Sequence, residues 1–155
     1  RLLERAGPGL PGQGSITGLF TVLVDGDDHN EPVADAVRGI LDGHIVITRQ
    51  IAERGRYPAI DVLKSVSRTL PACLSDEQNA VRLAARRQLS TFRDMEEIVR
   101  LGAYRAGSNP EVDRAVAVAP QIEALLNQPK HERGDGTEAF ASLAALLEEP
   151  NENAL

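Results

Sequence analysis

From Ser75 onward the apolar residues fall into step with an α-helix. Val81, Ala85, Leu89, Phe92, Met95 or Glu96, and Val99 recur at three- and four-residue intervals, with room for one polar interruption. That spacing puts them on one face of a 3.6-residue helix. Ser75 and Gln78 form a capping-box pair ahead of it, and the pattern predicts the longest helix of the chain, ending near Tyr104. Asn109-Pro110 opens a second helix, with Glu111 and Asp113 in its electropositive first turn. Pro120 is expected to break or restart that helix, after which Ile122, Leu125 and Leu126 resume the apolar face. A polar loop over 130–136 leads to a last helix, about Glu138 to Glu148, that presents Phe140, Leu143, Ala144 and Leu147. The tail from Pro150 is expected to be disordered.

Upstream the pattern is different. Gly7-Pro8-Gly9-Leu10-Pro11-Gly12-Gln13-Gly14 reads as a loop, and Ser15 to Val24 as a β-rich run. The near-continuous apolar stretch Leu19–Val24 has the habit of a strand buried on both faces, as in parallel sheets. Asp25-Gly26-Asp27-Asp28 ends it. A helix is expected from Pro32 to about Leu41, N-capped near Asn30 or Glu31 and stopped at Gly43. Val33, Ala36, Val37, Ile40 and Leu41 would share one face. Ile45-Val46-Ile47 then reads as a short buried strand, completing a βαβ unit with parallel pairing. The fold class is therefore α/β followed by all-α, with the change near residues 70–75 around Pro71.

Composition narrows the function classes. Aromatic residues are 3% of the 155-residue chain and Trp is absent, so the core must be Leu, Val, Ile and Ala. The formal net charge is −6, and 15 Arg lie scattered among acids, which leaves no electrostatic footprint for nucleic acid. Cys73 stands alone, so neither an internal disulfide nor a cysteine metal cluster can form. No apolar run approaches the roughly 20 residues of a membrane span. The chain opens at Arg1 on a helix-like run, which reads as a piece of something longer.

Several motifs fail on context. Gly7-x-Gly9-x-x-Gly12 matches the dinucleotide fingerprint in letters only, since that motif needs a strand before it and a helix after it. No G-x-x-x-x-G-K-[ST] phosphate loop is present: Lys64-Ser65 lacks the upstream glycines, and Lys130 precedes His131. His29, His44 and His131 lack metal-ligand spacing. Asp25, Asp27, Asp28 and Glu31 form an acidic loop whose first reading is a solvated turn at a strand end; its place at a strand's carboxyl end supplies the second, a working loop. By residue type alone, Tyr57 in its Gly-Arg-Tyr-Pro turn reads as a packed loop aromatic and Arg68 as half of a surface salt bridge.

Taken together, several segments resemble the hexameric ATPases related to rotary ATP synthase catalytic subunits. They are Leu2-Leu3-Glu4-Arg5-Ala6-Gly7, Gly14-Ser15-Ile16-Thr17, Asp27-Asp28-His29-Asn30-Glu31-Pro32 and Leu41-Asp42-Gly43-His44-Ile45-Val46. The most specific is Tyr57-Pro58-Ala59-Ile60-Asp61-Val62-Leu63 followed by Ser65-Val66-Ser67-Arg68. Gly102-Ala103-Tyr104-Arg105-Ala106-Gly107-Ser108-Asn109-Pro110, with Asp113-x-Ala115 after it, is similar to the flagellar and type III secretion branch. The likeness spans about residues 1–147.

The resemblance implies the second half of a RecA-like nucleotide-binding domain over 1–72, without its phosphate-binding loop. A carboxy-terminal helical domain follows over 73–149, then a tail over 150–155. It implies that Tyr57 stacks on adenine and that Arg68 is an arginine finger reaching the neighbouring subunit's site. It places Asp27 and Asp28 in a loop facing a central stalk. The substrate would be ATP with Mg2+, whose ligands lie upstream of this chain. The expected partners are five further copies in a homo-hexamer, a coiled-coil stalk protein, an ATPase regulator, the export gate and chaperone–substrate complexes, in the cytoplasm against the inner membrane. A virulence secretion ATPase, a rotary synthase subunit and a non-catalytic docking module are the alternatives. Lys130, after Asn127-Gln128-Pro129, stands where synthase β-type subunits carry a pocket-closing aromatic, which leaves the pocket's second wall open to question.

Overall fold

The computed structural model describes residues 3–24 and 32–148. The acidic turn at 25–28, the N-cap at Asn30 or Glu31 and the tail from Pro150 lie outside the described residues. The architecture is α/β followed by all-α, and the chain forms two compact units, Arg1–His44 and Ile45–Leu155.

In the first unit a 3-10 turn (Leu3–Arg5) leads into β1 (Gly7–Pro8), which pairs antiparallel with β2 (Ser15–Ile16), Gly7 opposite Ile16. The glycine-rich stretch between them is a hairpin closed by Gln13 N–H donating to the Leu10 carbonyl (2.8 Å). Gly12 takes φ +88°, a conformation that only glycine adopts without strain. No helix opens after the glycines, so the fingerprint reading is excluded by structure as well as by context. Residues 19–24 do not form the expected strand, and Leu19 and Leu23 are each 91% exposed. A strand exists only when its N–H and C=O groups find a neighbour, and no described segment supplies one here. Helix α1 (Pro32–Ile40) is present. Its covered stripe is Ala34, Val37, Arg38 and Leu41, and not the face containing Ala36 and Ile40. It ends before Gly43, which instead begins β3 (Gly43–His44).

In the second unit, Ile45–Ile47 is not a parallel strand buried on two faces. Thr48 N–H donates to the Ala59 carbonyl (3.0 Å) and Asp61 N–H to the Val46 carbonyl (2.8 Å), around an antiparallel bridge between Ile47 and Ile60. The two-residue period of extended chain turns Val46 inward and leaves Ile45 and Ile47 exposed. The βαβ unit inferred from sequence is thus absent among the described residues, and the bridge between Ile47 and Ile60 is antiparallel. Helix α2 (Arg49–Glu53), capped by Thr48, stops at Gly55 (φ +80°). β4 (Val66–Ser67) and the short α3 (Leu70–Cys73) lead to the helices.

Helix α4 (Asp76–Arg100) carries the full capping box: Gln78 N–H donates to Ser75 Oγ (3.1 Å), and Ser75 N–H to Gln78 Oε1 (3.0 Å). It ends four residues short of Tyr104. Gly102 sits at φ +69°, with Gly102 N–H on the Val99 carbonyl and Ala103 N–H on the Ile98 carbonyl, a Schellman stop. Asn109 Oδ1 caps α5 (Pro110–Leu125) by accepting from Glu111 N–H at 3.0 Å. Pro120 neither breaks nor restarts α5. Its own position is exposed, whereas Val112, Ala115, Val118, Ala119 and Ile122 on the covered face are buried. That packing outweighs the roughly 3 kcal/mol penalty of an interior proline. Helix α6 (Gly136–Glu148) starts on Asp135, whose carboxylate accepts from Thr137 N–H (2.7 Å) and Glu138 N–H (3.2 Å). Those two bonds, Glu138 first, hold the Asp135 carboxyl below its usual range.

The core lies where α4 meets α5. Ala85, Leu89, Val118, Ala119 and Ile122 form it, with Val62, Leu63, Phe92, Leu126, Leu143 and Leu147 packed around them. Ile122 is 1% exposed and is the largest fully buried side chain among the described residues. Truncating it removes buried methylenes and leaves a cavity. Ile122→Ala in the full-length protein should lower stability by about 2–5 kcal/mol, read as an earlier loss of helical circular dichroism in urea.

Candidate nucleotide-contacting loop

The stretch that carries Tyr57 is held from both sides. Arg56 is buried and turns back over its own loop, donating from Nη2 to the Ile60 carbonyl (2.8 Å) and from Nη1 to the Pro58 carbonyl (3.4 Å). Its Nε lies 2.6 Å from Glu123 Oε2 on α5. That Nε makes no aligned hydrogen bond, so the contact counts as charge pairing. Tyr57 N–H donates to Asn127 Oδ1 (2.9 Å), and Gln128 N–H donates to the Tyr57 carbonyl (2.7 Å). The backbone of Tyr57 is therefore bracketed just past the end of α5, while the residue as a whole is 56% exposed.

Four residues further on, Asp61 ties the same stretch to α4. It is 4% exposed, and its Oδ1 accepts from Leu63 N–H, Lys64 N–H and Arg93 Nη2, each at 3.0 Å. Burial pushes this carboxyl up. The Arg93 hydrogen bond, the Lys64 N–H, the Arg93 charge and the Leu63 N–H together outweigh burial and hold it below the usual carboxylate range. Arg86, one heptad before Arg93, donates to the Val62 and Leu63 carbonyls. Ser65 Oγ donates to the Asp61 carbonyl (2.7 Å) and accepts from Val46 N–H (2.9 Å).

A cleft of about 430 Å3 opens among α2, α4 and α5, lined in part by Arg54, Arg56, Arg93, Glu96 and Glu123. Its three arginines are matched by acids: Arg54 to Glu96 (2.8 Å), Arg56 to Glu123 and Arg93 to Asp61. A phosphate would have to displace those carboxylates, so the cleft is built as an internal ion-pair lattice rather than an anion site. Among the described residues no group of three or more His, Cys, Asp or Glu side chains is placed to hold a metal ion.

Tyr57 and Arg68 stand at the two ends of the stretch 57–68. Arg68 is exposed just beyond β4. Lys130 is exposed in a turn after α5. Asp27 and Asp28 lie outside the described residues. Residue-level reading missed Arg56, Asp61, Arg86, Arg93, Glu123 and Asn127. The available signal was the Arg86/Arg93 pair, seven residues apart and beside the apolar stripe of α4.

Residues 1–67 match the ATP synthase alpha/beta family, nucleotide-binding domain, and residues 74–145 match the T3SS EscN ATPase C-terminal domain, so the chain belongs to this ATPase family. It holds the closing part of the RecA-like nucleotide-binding domain and the helical domain that follows. The flagellum-specific ATP synthase of Caulobacter vibrioides is 56% identical over 153 residues, covering 96% of this chain and 34% of that protein. The SPI-2 type 3 secretion system ATPase of Salmonella typhimurium is 48% identical over 132 residues, 85% of this chain and 30% of that protein. The assembled ATPase EscN of the enteropathogenic E. coli type III secretion system superposes with a TM-score of 0.87 at 36% identity, covering 94% of this chain and 35% of EscN. EscN has also been solved in complex with its central stalk EscO, where the TM-score is 0.81. The chain spans about a third of the length of the curated relatives it matches.

The Asp61 environment has a pH signature. A carboxyl whose folded-state value is depressed contributes stability that is present above its unfolded value and is lost as pH falls through its folded value. Asp61→Asn in the full-length protein should lower stability by about 2 kcal/mol at neutral pH. The gap between variant and parent melting midpoints should be constant from pH 7 down to about pH 4 and shrink below that. A gap independent of pH across that range would mean that Asp61 is not the titrating partner of Arg93.

Proposed function

We propose that this chain is part of a homo-hexameric ATPase that couples ATP hydrolysis to export of flagellar proteins through a type III secretion apparatus. The observation that carries the reading is 56% identity, over 96% of this chain, to a flagellum-specific ATP synthase. The relatives of the virulence branch, at 48% and 36% identity, favour as the second reading the same machine serving an injectisome.

In the proposed mechanism Tyr57 offers its ring face to adenine. Its exposed position on a backbone fixed at both the N–H and the C=O supports that role. Stacking of this kind contributes on the order of 1–3 kcal/mol per base by analogy with nucleic-acid binding and tolerates any base. Arg68, exposed beyond β4, would act in trans on the next subunit's ATP. The transferring phosphoryl group spreads negative charge over its oxygens in the transition state, and a planar guanidinium stabilises that charge more than it stabilises bound substrate. Asp27 and Asp28 would face a coiled-coil stalk, a reading supported by EscN's complex with EscO. An ATPase regulator, the export gate and chaperone–substrate complexes complete the proposed set of partners. The working division falls near residue 72, with nucleotide contacts before it and the stalk-responsive helices after it. No described helix is long and apolar enough to cross a membrane, in keeping with a cytoplasmic enzyme docked at the inner-membrane export gate. The phosphate-binding lysine, the catalytic glutamate and the Mg2+ ligands would come from sequence upstream of Arg1.

In the full-length hexamer Arg68→Ala should cut turnover by about 10³-fold or more and leave ATP binding largely intact. Arg68→Lys should not rescue it, because an ammonium lacks the planar fork. Mixing Arg68→Ala subunits with subunits that lack the phosphate-loop lysine should restore part of the activity. Near-normal turnover in the single variant, or no recovery in confirmed mixed hexamers, would make Arg68 a structural residue. The isolated 155-residue chain should release no phosphate from ATP above buffer.

A further inference from the structure

We infer that Asn127 is a positioning residue for the nucleotide base: its side-chain carbonyl, together with the Glu123–Arg56 ion pair one turn earlier, fixes the backbone that carries the Tyr57 ring and so sets ATP affinity. The inference rests on the stacking role proposed for Tyr57 and extends it to residues outside that loop.

Two successive residues of the loop are gripped by the last turn of α5 and the residues just after it. Glu123 holds Arg56 at 2.6 Å, and Asn127 holds the N–H of Tyr57 at 2.9 Å. The Gln128 amide closes the bracket on the Tyr57 carbonyl at 2.7 Å. With both backbone groups of Tyr57 engaged, the peptide planes on either side of its Cα are fixed, and only side-chain rotation remains to aim the ring. An aromatic loop residue without such a bracket would lose backbone freedom on stacking. Here that ordering is already in place before ligand arrives, the general basis of preorganisation. The bracket matters more because Lys130, and not an aromatic, follows Asn127-Gln128-Pro129. Tyr57 is the ring this stretch offers to a base, so its aim is not shared with a second wall from that position.

Among the described residues the Asn127 side chain serves as an acceptor, through Oδ1. A carboxylate of the same shape can accept the same N–H bond, whereas a methyl group cannot. That difference separates positioning from bulk packing.

The test uses the full-length hexamer and two ligands, ATP and inorganic tripolyphosphate, which carries phosphates but no base. Asn127→Ala should raise the KM for ATP about five- to tenfold, a loss of roughly 1–1.4 kcal/mol, with kcat held. It should leave the inhibition constant of tripolyphosphate unchanged, and Asn127→Asp should restore the parent KM. In a Tyr57→Ala background, which itself raises KM, adding Asn127→Ala should cost nothing further. Equal weakening towards ATP and tripolyphosphate would overturn the inference, because the damage would then be general. Additive effects of Asn127→Ala and Tyr57→Ala would overturn it too, since Asn127 would act by another route. A parent-like KM in Asn127→Ala alongside a raised KM in Tyr57→Ala would overturn the positioning role and leave stacking standing. An unchanged KM in Tyr57→Ala would overturn both readings. Should Asn127→Ala assemble poorly, Asn127→Leu and the Glu123→Gln variant carry the same comparison of ATP against tripolyphosphate.

Discussion

A carboxylate only 4% exposed stays charged in a protein interior when partners replace the water it has lost. Asp61 has three such partners, and they come from two directions: the backbone of its own turn and Arg93 on α4. The arrangement fixes the turn at 61–65 and anchors it to the longest helix. Ser65 then passes the order to Val46, and Arg86 secures the carbonyls of Val62 and Leu63, which place those side chains against the core. The loop bearing Tyr57 and the strand bearing Val66 enter and leave this anchored turn. Their geometry is inherited from a charge placed almost wholly out of solvent.

The helices were legible because the signals that start them are local. Ser75 and Gln78 are three residues apart, and Asn109 precedes its proline directly; both caps formed as the sequence indicates. Stops were read less well. Gly102 ended α4 through a left-handed turn whose hydrogen bonds reach back to Val99 and Ile98, while the apolar pattern alone carries on toward Tyr104. Pro120 failed to stop α5 because local propensity yields to a buried face. The segments read as parallel strands show the opposite limit. Apolar content identifies a strand's wish for neighbours but not where those neighbours are, so Val46 went inward alone and Leu19 and Leu23 remained exposed.

The candidate site was legible by resemblance and not by chemistry. Tyr57 and Arg68 look ordinary as residue types, and only the run from Tyr57 to Arg68, taken whole, distinguishes them. What supports Tyr57 was out of reach for a physical reason. Asn127 is 70 residues away and Glu123 is 67 residues from Arg56, and nothing in the period of α5 marks its last turn as the one that meets the loop. Long-range pairs of a single hydrogen bond or charge leave no repeating trace in a sequence.

The bond from the Gln128 amide to the Tyr57 carbonyl has a further consequence, which is reciprocity. The loop and the segment just after α5 cannot separate without breaking it. Any ligand that prefers the docked loop must therefore strengthen the end of the helix by the same factor by which the docked helix strengthens the ligand. On the stacking role proposed for Tyr57, Gln128, just past α5, would act as a gauge of occupancy. Solvent exchange at one backbone proton, that of Gln128, would slow as the site fills, and it would report from the helical side of the molecule on an event at the loop.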